Sequence, residues 1–167
     1  ALSGRDGVGI DIHSEMVAGA KQNLGWAHGE DSSPTCTISR GDATRIADAL
    51  PTEWLGTVAG FVLDPPYGRN SHGSIESQSL LKATLQSSYD VASPAAGFVL
   101  ILPIEPMGER PHTEVGLDEN VELLSGSWGD LKELMTVCGW AVKSAHIEHV
   151  HRSLSRLILL AKYVPQG

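Results

Sequence analysis

The passage Gly60-Phe61-Val62-Leu63-Asp64-Pro65-Pro66-Tyr67-Gly68 restricts the fold of this chain more than any other. An apolar run is cut off by an acid, two prolines, an aromatic ring and a glycine, which reads as a buried strand emptying into a rigid loop. Consecutive prolines fix φ and donate no backbone hydrogen bond. The Asp64 carboxylate and the carbonyls of Pro65 and Pro66 are therefore held in a nearly preset geometry, with Tyr67 adding an aromatic face. Two readings stand side by side at this point. One is a plain turn, since all of these residues except tyrosine are common turn formers; the other is a loop that offers acceptors to a ligand.

The rest of the chain alternates strand and helix signals around that passage. Residues 7–12, Gly-Val-Gly-Ile-Asp-Ile, form a short β-branched run that reads as a buried parallel strand with Asp11 at its carboxyl end. In open α/β sheets ligands bind outside the carboxyl ends of the strands, and an acid there commonly holds a ribose; the competing role is a loop or capping carboxylate. A helix follows, capped by Ser14 and burying Met16, Val17, Ala20 and Leu24 on one face. Residues 28–34 read as a loop and 35–39 as a second strand closed by Gly41-Asp42-Ala43-Thr44. Asp42 is placed either to accept from an adenine amino group, with Ala43 leaving room for the ring, or to cap a short helix over 44–50; the two roles are compatible. Residues 58–63 are then the third strand.

Beyond the Pro-Pro loop, residues 70–74 are polar and read as a loop able to order over a substrate. A helix is expected over 77–91, burying Leu80, Leu81, Leu85 and Tyr89, and ended by Pro94. Residues 97–103 are the most continuous apolar run and should form a central strand beside 58–63. Residues 104–126 carry only a weak helical hint over 119–124 and receive no function. Trp128, Leu131, Leu134, Met135 and Cys138 mark an amphipathic helix closed by Gly139. The runs 140–150 and 154–164, separated by His151-Arg152-Ser153, read as a terminal antiparallel hairpin.

Bulk properties narrow the function classes. A length of 167 residues fits one domain with a real core. The net charge of −8 argues against diffuse basic attraction to nucleic acid, though not against a catalytic domain whose partner domain does the gripping. No apolar run approaches the roughly 20 residues that cross a bilayer, and no basic segment with an apolar core opens the chain, so a cytoplasmic address and no membrane partner are the expectation. Cys36 and Cys138 lie far apart in apolar segments and read as free thiols. His149 and His151 lack a neighbouring ligand cluster, so no metal is expected.

Acids at two successive strand ends and Asp64-Pro65-Pro66-Tyr67 at the third make the chain resemble the class I S-adenosylmethionine-dependent methyltransferases that modify exocyclic amines. Three local stretches bring it nearer to the tRNA guanosine-N2 methyltransferases acting at position ten in archaea and eukaryotes. They are Gly9-Ile10-Asp11-Ile12 with Met16-Val17 and Asn23-Leu24, then Asp64-Pro65-Pro66-Tyr67-Gly68-Arg69, and finally His151-Arg152-Ser153-Leu154-Ser155-Arg156. The resemblance spans nearly the whole chain and implies an α/β Rossmann-like sheet, mostly parallel with a C-terminal antiparallel hairpin. By the same resemblance Asp11 and Ile12 bind the ribose and adenine of S-adenosylmethionine, and Asp42 with Ala43 addresses the adenine edge. Asp64, Pro65, Pro66 and Tyr67 are implied as the catalytic set, with Asp64 and the Pro65 carbonyl accepting from the target amine and Tyr67 stacking on a flipped guanine. Gly68, Arg69, Asn70, His151 and Arg152 are implied to contact RNA.

The chain departs from that family at its start. Family members carry, just upstream, a strand, a Gly-rich loop that cradles the methionine part of the cofactor, and a helix; here Ala1-Leu2-Ser3-Gly4 opens on the end of a helix and its turn. Residues 1–167 are thus expected to be an incomplete catalytic domain lacking its first strand and the family's N-terminal RNA-binding domain, with apolar strand edges through which copies could associate. Adenine-N6 or another amine on DNA, RNA or protein is the alternative target, and a non-catalytic, methyltransferase-like interaction subunit is the alternative from outside the enzyme class.

Overall fold

The computed structural model describes residues 5–28, 36–65, 75–104, 113–117, 121, 123 and 127–166. Two separate sheets organise them. Strands β1 (Gly7–Asp11) and β2 (Cys36–Arg40) pair in parallel, with helix α1 (Ser14–His28) connecting them. After a 3₁₀ segment, Ala43–Ala49, the chain enters β3 (Val58–Leu63), α2 (Ile75–Val91) and β4 (Ala92–Ile104). A short β5 (Thr113–Val115), α3 (Trp128–Val137), β6 (Trp140–His151) and β7 (Leu154–Tyr163) complete the order. The second sheet runs β3-β4-β7-β6-β5.

The β3–β4 pair is parallel, as the two apolar runs suggested. Antiparallel pairing extends further than the terminal hairpin, because β7 inserts beside β4 and β5 adds to β6. The architecture is therefore a mixed α/β sheet. β5 falls in the stretch where no strand was expected. Strand β4 also begins earlier than its apolar run, directly at the end of α2, and contains Pro94. Its pairing with β7 starts only at Gly97, opposite Lys162, so proline's missing N–H costs no bond on that side.

Side chains alternate across the five-stranded sheet with period two. Phe61 and Leu63 of β3, Phe98 to Ile104 of β4 in alternation, and Leu157, Leu159 and Ala161 of β7 face α2 and α3 and enclose the core. Trp140 is its centre: fully buried, it packs against Phe61, Phe98, Tyr89 and Tyr163 and donates from Nε1 to the Leu85 carbonyl at 3.0 Å. Gly139, which ends α3, has φ +83, and a side chain there would run into the Tyr89 ring. In α2 the buried face holds Thr84 and Ser88 as well as Leu85. Each hydroxyl bonds the carbonyl four residues earlier, Thr84 to Leu80 and Ser88 to Thr84, so neither is left unpaired. Leu80 itself is largely exposed, unlike the helical pattern suggested.

The opposite face of this sheet is set by Gly60 and Val62 of β3, Gly97 and Val99 of β4, and Leu160 and Lys162 of β7. Val62 is 76% exposed there. A cavity of about 1070 Å³ lies between β1 and the outer edge of β3, lined among others by Val8, Ile10, Ala43, Phe61 and Val62. Among the described residues β3 has a strand neighbour on one side only, β4.

Candidate active site

The carboxyl end of β1 is held by residues at the carboxyl end of β2. Gly41 N donates to the Asp11 carbonyl at 3.0 Å, and Arg40 Nε donates to the Ile12 carbonyl at 3.1 Å, tying the two parallel strand ends together. Glycine is required at 41 because Ile10 Cγ2 would stand 2.6 Å from a Cβ there. The Asp11 carboxylate accepts from His13 N through Oδ1 at 2.7 Å, fixing its direction beyond the strand end. Ile12, whose side chain is 54% exposed, sits beside it with its apolar surface open to a flat ligand.

Asp42 performs the capping role. Its Oδ1 accepts from Thr44 N and from Thr44 Oγ1, each at 2.8 Å, at the start of the 3₁₀ segment. The backbone N–H of Thr44, then its hydroxyl and the nearby Arg45, hold this carboxyl below the usual carboxylate range. Ala43 lines the cavity between β1 and β3. The segment is anchored to the main core by one buried bond, from Ile46 N to Ser87 Oγ of α2 at 2.8 Å.

These residues suit the nucleoside end of S-adenosylmethionine. Two carboxylates stand at and just past the ends of adjacent parallel strands, Asp11 closing β1 and Asp42 following β2, each with one oxygen engaged by local backbone, beside an exposed isoleucine and a small alanine at the cavity wall. Those acceptors suit the hydroxyl donors of a ribose diol and an amino-bearing ring.

The second group of residues lies at the carboxyl end of β3. Asp64 follows the last strand residue and shares the face of Gly60 and Val62. Its Oδ2 is 3.8 Å from Arg156 Nη2 of β7. Pro65 is described and half-buried, whereas Pro66, Tyr67, Gly68, Arg69 and Asn70 lie outside the described residues. The β4–β7 register, Ile104 opposite Ser155, puts the start of β7 and the hairpin turn at the same edge of the sheet as Asp64. In that turn His151 Nδ1 accepts from Ser153 N at 3.2 Å, so the ring shapes the turn, and Arg152 is exposed. Arg156 is the residue that sequence reasoning left without a role. Its partner is reached across β4, and only strand register reveals that.

Both cysteines are free thiols. Burial pushes the Cys138 thiol up, and Lys82 opposes the shift. Among the described residues no group of His, Cys, Asp and Glu is arranged to hold a metal, and no helix is long and apolar enough to cross a membrane.

Comparison with known proteins bears on the architecture first. The chain superposes on an S-adenosylmethionine-dependent methyltransferase from Methanosarcina mazei with a TM-score of 0.66, covering 98% of this chain and 84% of that one at 13% identity. The fold is that of the S-adenosylmethionine-dependent methyltransferases. Magnesium protoporphyrin IX methyltransferase from Synechocystis, with bound S-adenosylhomocysteine, shares this methyltransferase fold at a TM-score of 0.64 and 16% identity, over 98% of this chain and 66% of that one. TrmN from Thermus thermophilus shares it at 0.56 and 15% identity, over 93% and 36%. In sequence, the chain is 37% identical over 90 residues to tRNA (guanine(10)-N2)-dimethyltransferase of Pyrococcus abyssi. That match takes in 54% of this chain and spans a quarter of the relative's length. No family model matches the chain.

Proposed function

We propose that residues 1–167 belong to the catalytic domain of an S-adenosylmethionine-dependent methyltransferase acting on the exocyclic N2 amine of a guanosine in tRNA. The observation that carries the reading is the 37% identity over 90 residues to the Pyrococcus abyssi tRNA (guanine(10)-N2)-dimethyltransferase. It is supported by the methyltransferase fold and by the placement of Asp64 and Pro65 at a strand's carboxyl end.

S-adenosylmethionine, when bound, supplies an electrophilic methyl group. In this reading Asp11 accepts from its ribose hydroxyls, Ile12 packs on the adenine, and Asp42 with Ala43 meets the adenine edge. Asp64 and the Pro65 carbonyl accept the N–H bonds of the substrate amine, with Pro66 stiffening the loop and Tyr67 stacking on the guanine. A guanine N2 is a poor nucleophile because its lone pair is delocalised into the ring. Acceptors aimed at it favour a pyramidal nitrogen and stabilise the positive charge that develops there, so their contribution is electrostatic preorganisation and alignment. Gly68, Arg69, Asn70, His151 and Arg152 face the RNA. A net charge of −8 offers little diffuse attraction to a polyanion, and in this reading the grip on tRNA falls to a separate RNA-binding domain.

The test is methyl transfer by the full-length protein from tritiated S-adenosylmethionine to unmodified tRNA transcripts, duplex DNA and protein, followed by nucleoside analysis. Label recovered as N2-methylated guanosine is the expected result. Label in N6-methyladenosine, in DNA or in protein alone would replace the guanine-N2 assignment, and absence of transfer to every acceptor would leave an interaction subunit as the better account.

A further inference from the structure

We propose that Arg156 is the positioning residue for Asp64, holding its carboxylate in the orientation in which it accepts from the substrate amine. This rests on the amine-transfer reading above. Asp64 and Arg156 sit on strands that do not touch, β3 and β7, with β4 between them. The register places both on the same face: Val62 lies opposite Val99, Val99 opposite Leu160, and Arg156 is four residues before Leu160 on the same alternation. From there the guanidinium reaches over β4, and Nη2 lies 3.8 Å from Asp64 Oδ2. Among the described residues Arg156 is the cation paired with this carboxylate.

The origin of the arginine is as well fixed as that of the acid. Arg156 lies within β7, opposite Pro103 of β4 on one side and Glu148 of β6 on the other. A strand paired along both edges sets its Cα, whereas Asp64 has already left its strand and is followed by Pro65 outside it. The firm element therefore holds the loop element. At 3.8 Å the contact is an ion pair that draws Oδ2 toward the guanidinium, and in the proposed role Oδ1 is left to accept from the amine.

Exposure separates this role from a structural one. The two side chains are 44% and 52% exposed, and ion pairs in such settings contribute little to stability. The consequence of the contact is read in turnover, which depends on where an acceptor stands to within a fraction of an ångström.

The experiment is steady-state methyl transfer from tritiated S-adenosylmethionine to an unmodified tRNA transcript, using the full-length protein and its R156Q, R156M, R156K, D64N and D64N/R156Q variants. R156Q and R156M should each lower kcat by about tenfold with the RNA KM unchanged within about twofold, and R156K should recover most of the loss. Because Arg156 acts through Asp64, D64N/R156Q should be no slower than D64N. A raised KM at unchanged kcat, or losses that multiply in the double variant, would overturn the proposal and make Arg156 an RNA contact. A fall in melting temperature of more than about 5 °C in both R156Q and R156M would overturn it in favour of a structural role. An active D64N refutes instead the assignment of Asp64 as acceptor, and an inactive wild type refutes the amine-transfer reading itself.

Discussion

In β1, α1 and β2, Val17 is the one described side chain that is buried, while α2, α3 and the five-stranded sheet share a continuous cluster running from Leu85 to Ala161. The first region carries Asp11 and runs through Asp42 into the 3₁₀ segment, and the second carries Asp64 and Arg156. Hydrophobic stabilisation scales with apolar area removed from water, so the second region has its own reason to be folded and the first leans on it. The bond from Ile46 N to Ser87 Oγ shows where it leans, since the 3₁₀ segment packs on α2 through Ile46. The groups proposed to meet the nucleoside and those proposed to meet the amine therefore sit on regions of different burial, and perturbations can be aimed at one region while the other serves as control.

The largest effect should come from the centre of the larger region. Trp140→Ala removes a fully buried indole and its bond to the Leu85 carbonyl, and chemical denaturation should show a loss of about 3–5 kcal/mol. If the loss is under about 1 kcal/mol, the cluster is not the common support described above. Next, Asp64→Ala should leave the unfolding curve in place and lower methyl transfer about a hundredfold, on the scale of losing one preorganised group at a reacting centre. Unchanged turnover would remove Asp64 from the chemistry.

A smaller effect is expected at the link between the regions. Ser87→Ala leaves the buried Ile46 N–H without its acceptor, at a cost of about 1–3 kcal/mol. Proteolysis or amide exchange should then loosen residues 43–49 while the Trp140 environment stays as it was. Equal loosening of both regions would mean that they unfold together and the contrast between them is only one of burial.

The smallest effect is in pH. The Asp42 carboxyl titrates below its ordinary value of 3.8 because Thr44 N donates to it. A depressed folded-state pKa stabilises above the unfolded value and is lost as pH falls through the folded one. Circular dichroism of the wild type below about pH 4 should report loss of the cap, and Asp42→Asn should flatten that dependence, by little because the group is exposed.

Much of this contrast was visible in the residues. Apolar runs stopped by Gly, Pro or Asp marked β1, β3 and β4, strand-like runs on either side of His151-Arg152-Ser153 marked the β6–β7 hairpin, and Trp128, Leu131 and Met135 marked α3, because periodicity and breakers are local properties. Asp42 was legible as a cap for the same reason. Three features were not. The three residues of β5 are strand only because β6 offers an edge. Leu80 is exposed although it lies one turn before Thr84 and Ser88 on the same stripe, because full burial of that stripe begins only at Thr84. The Asp64–Arg156 contact depends on two registers in series, which no spacing along the chain encodes.

The one-sided position of β3 has an outcome of its own in hydrogen exchange. Along Gly60–Leu63, past the irregularity between Val58 and Gly60, successive amides point alternately toward β4 and toward the cavity between β3 and β1. The amides directed at β4 are locked in the ladder, and those directed at the cavity meet water, so deuterium should enter this strand at every second residue. Such a sawtooth is readable with no acceptor or methyl donor present, and it would vanish as soon as any extended segment paired with that edge.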